Sequence, residues 1–245
     1  MALPPPNLRM GDLPADVPIW REPLAAMEWL ALRTSRIFYG RGVPRGDGAP
    51  VIAVPGFLGT DFYLGELSRW LRRIGYRVYR SQIGWNAGCV DVLVSRLLET
   101  IGQATQENGR RVHLIGHSLG GVLARAATAR RPDLVASIVT LGSPLRGISA
   151  HPLILKVADA VRARLRREGR PPHCFEESCS CESVSALTRS ELLPQLAVYT
   201  RTDGILDWRT CQSGDPAIDR EVSGTHLGLV VNRAVYEVIS AHLAG

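Results

Sequence analysis

The residues that most clearly indicate a chemical function are a serine and the glycines around it. Gly116-His117-Ser118-Leu119-Gly120-Gly121 follows the apolar run Val112–Ile115 and leads into Val122–Arg130. A strand, a sharp turn and a helix form the context in which G-x-S-x-G presents a nucleophilic serine. The glycines leave room for a strained turn, and the helix N-terminus favours negative charge. The motif predicts that Ser118 is a nucleophile; an ordinary Gly-rich turn is the alternative.

A second glycine-containing loop could supply the donors that an acyl-transfer reaction requires. Pro55-Gly56-Phe57-Leu58-Gly59 follows the β-rich run Pro50–Val54. A tetrahedral oxyanion needs two preorganised N–H groups. We predict that Leu119, directly after the nucleophile, donates one of them and that Phe57 donates the other. A simple turn between a strand and a helix is the alternative for this loop.

A carboxylate and an imidazole follow two further predicted strands. Asp203 comes just after the apolar run Leu196–Thr200 and precedes a glycine, and Asp207 is the second candidate. His226 lies in a Gly-flanked loop after Ala217–Val222. Because the carboxyl ends of parallel strands share one edge of a sheet, we expect Asp203 and His226 to lie beside Ser118. Capping of the next turn is the alternative role for either aspartate.

The remaining histidines fit a catalytic base less well. They lie inside a strand, on the serine turn, in a variable-looking insert or near the C-terminus: His113, His117, His151, His173 and His242. His226 lies in the loop directly after the last predicted strand, so it is the predicted general base, with Asp203 orienting its ring.

These four segments together resemble the α/β-hydrolase superfamily, and most of all its lipase and esterase branch. The chain order Ser, Asp, His is that of the superfamily. The similarity covers roughly Pro50 to the C-terminus, without the insert Ser149–Arg189. Lipases often have His-Gly where this chain has Pro55-Gly56, a difference that leaves the backbone donor in place.

The resemblance implies a carboxylesterase or lipase that forms an acyl-enzyme on Ser118 and acts on short to medium acyl chains. Phe57, Leu58, Phe62 and Tyr63 suit an apolar acyl chain, although core packing explains them equally well. This chemistry needs no cofactor and no metal ion. Two alternatives stay open: an acyltransferase that uses the same triad, and a non-catalytic lipid- or ligand-binding protein on the same fold.

The elements around the motifs alternate between strands and helices, which is typical of a parallel sheet covered on both faces. Six strands are predicted, at Val51–Val54, Arg77–Arg80, Arg111–Ile115, Val135–Leu141, Leu196–Thr200 and Ala217–Val222. Helices are predicted near Asp61–Ile74, Asp91–Gln106, Leu119–Arg130 and Val231–Leu243. The expected fold is thus a compact α/β-hydrolase. An amphipathic helix over Pro23–Tyr39, with Leu24, Met27, Leu30 and Ala31 at helical spacing, takes the place of N-terminal antiparallel strands.

The insert Ser149–Arg189 interrupts this alternation and is predicted to form a helical cap or lid over the active site. Within it, His151–Arg167 has one apolar stripe, made of Ile154, Val157, Ala158, Val161 and Leu165. The opposite face is basic; it either meets an anionic lipid interface or is simply solvated. All 245 residues are predicted to form a single domain, which includes this insert and, as a surface arm, Met1–Pro18.

Composition and charge limit the classes of partner and the cellular compartments that the sequence predicts. The net charge of +6 comes from scattered arginines, and no nucleic-acid motif accompanies it, so no nucleic-acid partner is predicted. The expected partner is a small-molecule or lipid ester, with transient contact to a lipid interface; the oligomeric state stays open. No signal peptide or transmembrane helix is predicted, and the default compartment is the cytoplasm.

A disulfide between the cysteines would indicate a different compartment. Cys174, Cys179 and Cys181 cluster in the insert, Cys211 follows the Asp203 loop, and Cys89 reads as a buried small hydrophobe. A disulfide from Cys179 or Cys181 to Cys211 would tie the insert to the acid loop and imply a secreted or periplasmic protein. Reduced thiols and a zinc site are the alternatives.

Overall fold

The computed structural model describes residues 13–169 and 193–245. Within them, six strands form one sheet in which every neighbouring pair is parallel. The strands are β1 (Pro50–Val54), β2 (Arg77–Arg80), β3 (Val112–His117), β4 (Val135–Leu141), β5 (Gln195–Tyr199) and β6 (Asp219–Glu221). Their order in the sheet is β2-β1-β3-β4-β5-β6. The carboxyl ends of all these strands therefore lie along one edge, where the predicted site residues follow them.

Helices cover both faces of this sheet. They are α1 (Ala25–Arg33), α2 (Gly65–Arg73), α3 (Val90–Asn108), α4 (Leu119–Arg130), α5 (Pro152–Arg167) and α6 (Arg233–Ala244). Alternate residues of β1 enter two separate cores: Val51 packs with α2 and α6, whereas Ile52 packs with α3 and α4. This period of two is the reason a strand buried on both faces is a continuous apolar run.

The predicted strands and helices are confirmed, with boundaries that move by a few residues. The N-terminal helix predicted over Pro23–Tyr39 is wrong in extent. It is divided into a 3-10 turn (Ile19–Leu24), α1, and a second 3-10 turn (Ile37–Tyr39). Its predicted apolar stripe faces solvent, since Met27 is 68% exposed and Leu30 is 58% exposed. The inward side carries Glu22 and Leu32 instead, and the hydrogen bonds of Glu22 to the site loops are the reason.

The N-terminal segment is tied to the beginning of the insert. Leu13–Pro14 pairs in parallel with Ser149–Ala150, and α5 begins two residues later with His151 Nδ1 accepting the Leu153 N–H. The insert is described as far as residue 169. No described helix combines the length and the apolar character needed to cross a membrane.

The predicted disulfide is not formed by Cys211. Its thiol is free and packs inward against Ala150, Tyr199 and Leu206, where burial raises the pKa of the thiol well above its usual value. Cys174, Cys179 and Cys181, like His173, lie outside the described residues. The free thiol of Cys211 therefore gives no support to an oxidising compartment. Cys89 is buried beside α3, as predicted.

Candidate active site

Ser118 occupies a strained turn between β3 and α4. Its backbone has φ of 52° and ψ of −126°, a combination that a residue with a Cβ rarely adopts. The turn is held because the Ser118 N–H donates to the Leu141 carbonyl over 2.8 Å. A Cβ on Gly116 or Gly120 would collide with facing backbone. The strand–turn–helix geometry predicted from the motif is confirmed.

The loop after β1 approaches this turn closely. A Cβ on Gly56 would stand 3.0 Å from the Ser118 Cβ, so a larger residue there would crowd the serine turn. Within the part of the chain that the structure describes, the N–H groups of Phe57 and Leu119 donate no hydrogen bond. Both residues line the same cavity as Ser118. Two backbone donors are thus free to bind an anionic oxygen at this point.

Asn86, which sequence reasoning missed, fixes the shape of that loop. Its side-chain amide donates to the Pro55 carbonyl over 2.7 Å. Its backbone carbonyl accepts the Leu58 N–H, and its N–H donates to Gly59. Asn86 is fully buried. No local pattern in the sequence connects an asparagine to a loop some thirty residues earlier, so only the fold identifies it.

Asp203, rather than Asp207, contacts His226. The Asp203 Oδ2 lies 2.7 Å from His226 Nδ1, and both side chains are almost completely buried. The other oxygen, Oδ1, accepts the N–H groups of Ile205 and Leu206, which fixes the carboxylate. Asp207 instead accepts the Arg209 N–H and caps a short 3-10 helix, the capping role that was its alternative.

The surroundings of His226 favour its charged form. Burial alone would lower the pKa of the imidazole, but the charge of Asp203, its hydrogen bond and the charge of Glu22 together raise it above the usual value. With Nδ1 bonded to a carboxylate, the proton of the neutral ring resides on Nδ1, and Nε2 is left as the basic nitrogen. An imidazole in this state can accept a proton from a hydroxyl.

His117, next to the nucleophile, links the three loops. The Gly56 N–H donates to the Tyr63 hydroxyl over 2.8 Å, so that hydroxyl donates to His117 Nδ1 over 2.7 Å. His117 Nε2 then donates to the His226 carbonyl over 3.0 Å. Burial, followed by the neighbouring charge of His226, lowers the pKa of His117 to about 3. His117 is therefore a neutral positioning group, and this role was not predicted.

Ser118 and His226 line one cavity of about 500 Å³, within the range of roughly 300–1,000 Å³ that is usual for small-molecule sites. Phe57, Leu58 and Tyr63 line it as well. Phe62 does not, because it is 91% exposed to solvent. One wall is the apolar side of α5, made of Ile154, Leu155, Val157, Ala158, Val161 and Leu165. The predicted apolar stripe thus faces the cavity.

A second serine–histidine contact lies elsewhere in the sheet. Ser137 Oγ is 2.8 Å from His113 Nδ1. Both residues are near the amino ends of their strands, β4 and β3, so the contact lies at the opposite edge from Ser118. Burial lowers the pKa of His113 to about 4. Since no described carboxylate bonds to this histidine, the contact is a structural hydrogen bond within the sheet.

The sequence of this chain is similar to that of a protein family and of curated enzymes. Residues 78–237 match the family model described as a PGAP1-like alpha/beta domain. A triacylglycerol lipase from Burkholderia plantarii is 32% identical over 140 residues, which cover 51% of this chain and 37% of that protein. A triacylglycerol lipase from Pseudarthrobacter phenanthrenivorans is 35% identical over 113 residues, which cover 40% of this chain and 34% of that protein. The matched part is therefore about a third of the length of these relatives.

Solved structures share the fold at low sequence identity. A mature lipase from Bacillus licheniformis, BlEst2, superposes with a TM-score of 0.57 at 14% identity and covers 82% of this chain and 94% of its own. At that identity the likeness concerns the fold alone. It confirms the α/β-hydrolase fold predicted from the four motifs.

Proposed function

We propose that this chain, which belongs to the family of PGAP1-like alpha/beta domains, is a serine hydrolase that cleaves carboxylic esters. The observation that carries the proposal is the buried hydrogen bond between Asp203 and His226, because His226 lines the same cavity as Ser118. Ester hydrolysis is also the activity that the names of both curated relatives state.

Contacts at the carboxyl end of β4 indicate that Ser118 and His226 lie close together. The Ser118 N–H bonds to the Leu141 carbonyl, and Leu141 is the last residue of β4. At the next residue, a Cβ on Gly142 would stand 3.1 Å from His226 Nδ1. The serine turn and the histidine ring therefore flank the same two residues, which suits proton transfer between them.

Acylation starts with the Ser118 hydroxyl. Its oxygen attacks the ester carbonyl carbon while His226 Nε2 takes the proton, and the carbonyl π electrons move to the oxygen. The N–H groups of Phe57 and Leu119 bind that oxyanion, and each lowers the activation free energy by about 3 kcal/mol. The tetrahedral intermediate then breaks its bond to the leaving alkoxide, which receives the proton from His226 and departs as the alcohol.

Deacylation repeats these steps with water. His226 takes a proton from a water molecule whose oxygen attacks the acyl carbon. The second tetrahedral intermediate breaks its bond to the Ser118 oxygen, which recovers the proton from His226. The carboxylic acid leaves, and the enzyme returns to its initial state. Asp203 holds the ring in place and stabilises its cationic form at both stages.

The cavity favours neutral esters with short to medium acyl chains. Apolar side chains from α5 and from the loop after β1 form most of its walls. The Arg162 guanidinium also lines it but is already paired with Asp159, so an ionised substrate would lose hydration that the cavity does not replace. We propose that α5 forms a lid over this site. Its other face, which includes Lys156 and Arg166, is the side that would meet an anionic lipid interface.

Hydrolysis of a p-nitrophenyl ester series tests the proposal. The wild-type protein should turn over the acetate, butyrate and octanoate esters and should form a covalent adduct with a fluorophosphonate at Ser118. The Ser118→Ala variant should neither hydrolyse the esters nor form the adduct. Ser137→Ala is the matched control, because it removes a buried serine that also lies beside a histidine, and it should do both. Hydrolysis that survives in Ser118→Ala would refute the proposal.

A further inference from the structure

A buried carboxylate from the N-terminal segment joins the two loops that carry Asp203 and His226. Glu22 is 6% exposed. Its Oε1 accepts the Gly204 N–H over 2.8 Å and the His226 N–H over 3.0 Å, and its Oε2 accepts the Leu227 N–H over 2.8 Å. Three charge-assisted hydrogen bonds satisfy a carboxylate that would otherwise be unfavourable to bury.

The acid loop is shaped around this carboxylate. A Cβ on Gly204 would stand 2.7 Å from Glu22 Oε1 and 2.7 Å from the Pro18 carbonyl. The glycine directly after Asp203 is therefore required by the approach of the N-terminal segment. Because one oxygen of Glu22 accepts from both loops, any shift of Gly204 relative to His226 would break one of the two bonds.

A second carboxylate holds the histidine loop without contacting the acid loop. Glu28 Oε1 accepts the N–H and the hydroxyl of Thr225, each over 2.8 Å. Its Oε2 accepts the Asn232 side-chain amide over 2.8 Å. Glu28 thus resembles Glu22 in chemistry and in the loop that it supports, but it bonds neither to Gly204 nor to His226.

Few charges face the His226 ring. Asp203 lies against it from the loop after β5, and Glu22 lies against its backbone from the N-terminal turn. His117, at the end of β3, stacks near the ring with centroids 4.8 Å apart but is neutral, since its pKa is about 3. Cys211, beside Asp203, is a neutral thiol. Among residues 13–169 and 193–245, Asp203 and Glu22 are therefore the charges that favour the protonated ring.

We propose that Glu22 is a positioning residue for ester hydrolysis. It fixes the Asp203 loop and the His226 loop relative to each other, and its negative charge stabilises the imidazolium that forms when His226 takes the Ser118 proton. This inference rests on the proposed function. Glu22 acts through His226 and makes no contact with the reacting atoms.

The Glu22→Gln variant tests both parts of this role. A glutamine amide turns one acceptor into a donor that faces backbone N–H groups, and it removes the charge. The acid limb of kcat/KM should move at least about 0.5 pH unit lower, because a negative charge near His226 raises its pKa. The value of kcat per titrated active site should fall roughly tenfold or more, with KM changed less than about twofold.

Glu28→Gln is the matched control, because it removes the same chemical group from the same loop. It should leave the acid limb of kcat/KM in its wild-type position. Glu22→Asp keeps the charge and shortens the reach, so kcat should fall while the limb stays in place. If Glu22→Gln does not fold, the Glu22→Asp variant still decides, since an unchanged kcat would overturn the positioning role.

The pKa of the His226 ring, measured by NMR without substrate, separates this inference from the proposed function. A wild-type protein that hydrolyses no ester would refute the hydrolase proposal and leave the NMR comparison intact. A lower pKa of His226 in Glu22→Gln, but not in Glu28→Gln, supports the inference. An acid limb and an NMR pKa that both match the wild type would overturn it.

Discussion

At the scale of single residues, the site depends on which atom of each side chain is already bonded. Asp203 uses Oδ1 to hold its own loop and Oδ2 to hold the imidazole. His226 therefore has Nδ1 occupied, and Nε2 is the nitrogen that can exchange a proton. These assignments lead to a distinct expectation for each of the two candidate aspartates, Asp203 and Asp207.

Replacement of these aspartates by asparagine should separate their roles. Asp203→Asn should lower kcat by roughly 10³–10⁴-fold, because an amide no longer selects the productive tautomer or stabilises the imidazolium. Asp207→Asn should change kcat less than about threefold and should reduce stability by about 1 kcal/mol or less, as expected for a helix cap. Steady-state kinetics on one p-nitrophenyl ester suffices, and a larger kinetic loss in Asp207→Asn would contradict the assignment.

The site residues that could be predicted from the sequence share one property. Each lies in a short local pattern, such as flanking glycines, that has a steric or chemical explanation. Ser118 is flanked by glycines, and His226 follows a strand in a Gly-flanked loop. Glu22 and Asn86 lack such a pattern, because their hydrogen bonds go to loops far away in the chain. A buried polar group whose partners are distant can be recognised only after the fold is known.

At the scale of elements, the four inner strands of the sheet were predicted well because each is a largely buried apolar run. The N-terminal helix was not, since its apolar spacing pointed to the wrong side. Met27 and Leu30 are exposed, while the carboxylates of Glu22 and Glu28 turn toward the protein. Periodicity predicts which residues share a face; it does not predict that backbone N–H groups will draw a polar face inward.

The α5 helix should set the acyl-chain preference. Ala158→Trp places a large side chain in the cavity that Ser118 lines, so kcat/KM for the octanoate ester should fall roughly tenfold relative to the acetate ester. Ala160 lies on the exposed side of the same helix, and Ala160→Trp should leave the ratio of the two values unchanged. Equal losses on both esters, or an equal effect of Ala160→Trp, would argue against this wall as the acyl site.

At the scale of the whole molecule, histidines buried in their neutral form make the fold sensitive to acid. Burial lowers the pKa of His113 to about 4 and that of His117 to about 3, whereas both return to about 6.5 on unfolding. The unfolded chain therefore binds more protons below pH 6.5, and stability falls as the pH falls. His226 has the opposite shift, so its contribution is fully present below pH 6.5 and is lost only as the pH rises through its raised pKa.

Chemical denaturation at several pH values should show this dependence. Each histidine kept neutral adds a slope of about 1.4 kcal/mol per pH unit to the free energy of unfolding between pH 6.5 and 4.5. His113→Gln should reduce the slope by about that amount, because His113 titrates only in the unfolded chain within this range. Identical slopes for the two proteins would contradict the assigned burial effect.

In the proposed reaction, Ser118, His226 and Asp203 act together on an ester held by two backbone donors. A crystal structure of the protein after reaction with an alkyl phosphonate tests it most directly. We expect phosphorus bonded to Ser118 Oγ, its phosphoryl oxygen within about 3 Å of the Phe57 and Leu119 nitrogens, and His226 Nε2 within hydrogen-bond distance of the phosphonate. Phosphorus on another residue, or a phosphoryl oxygen directed away from both nitrogens, would contradict the account.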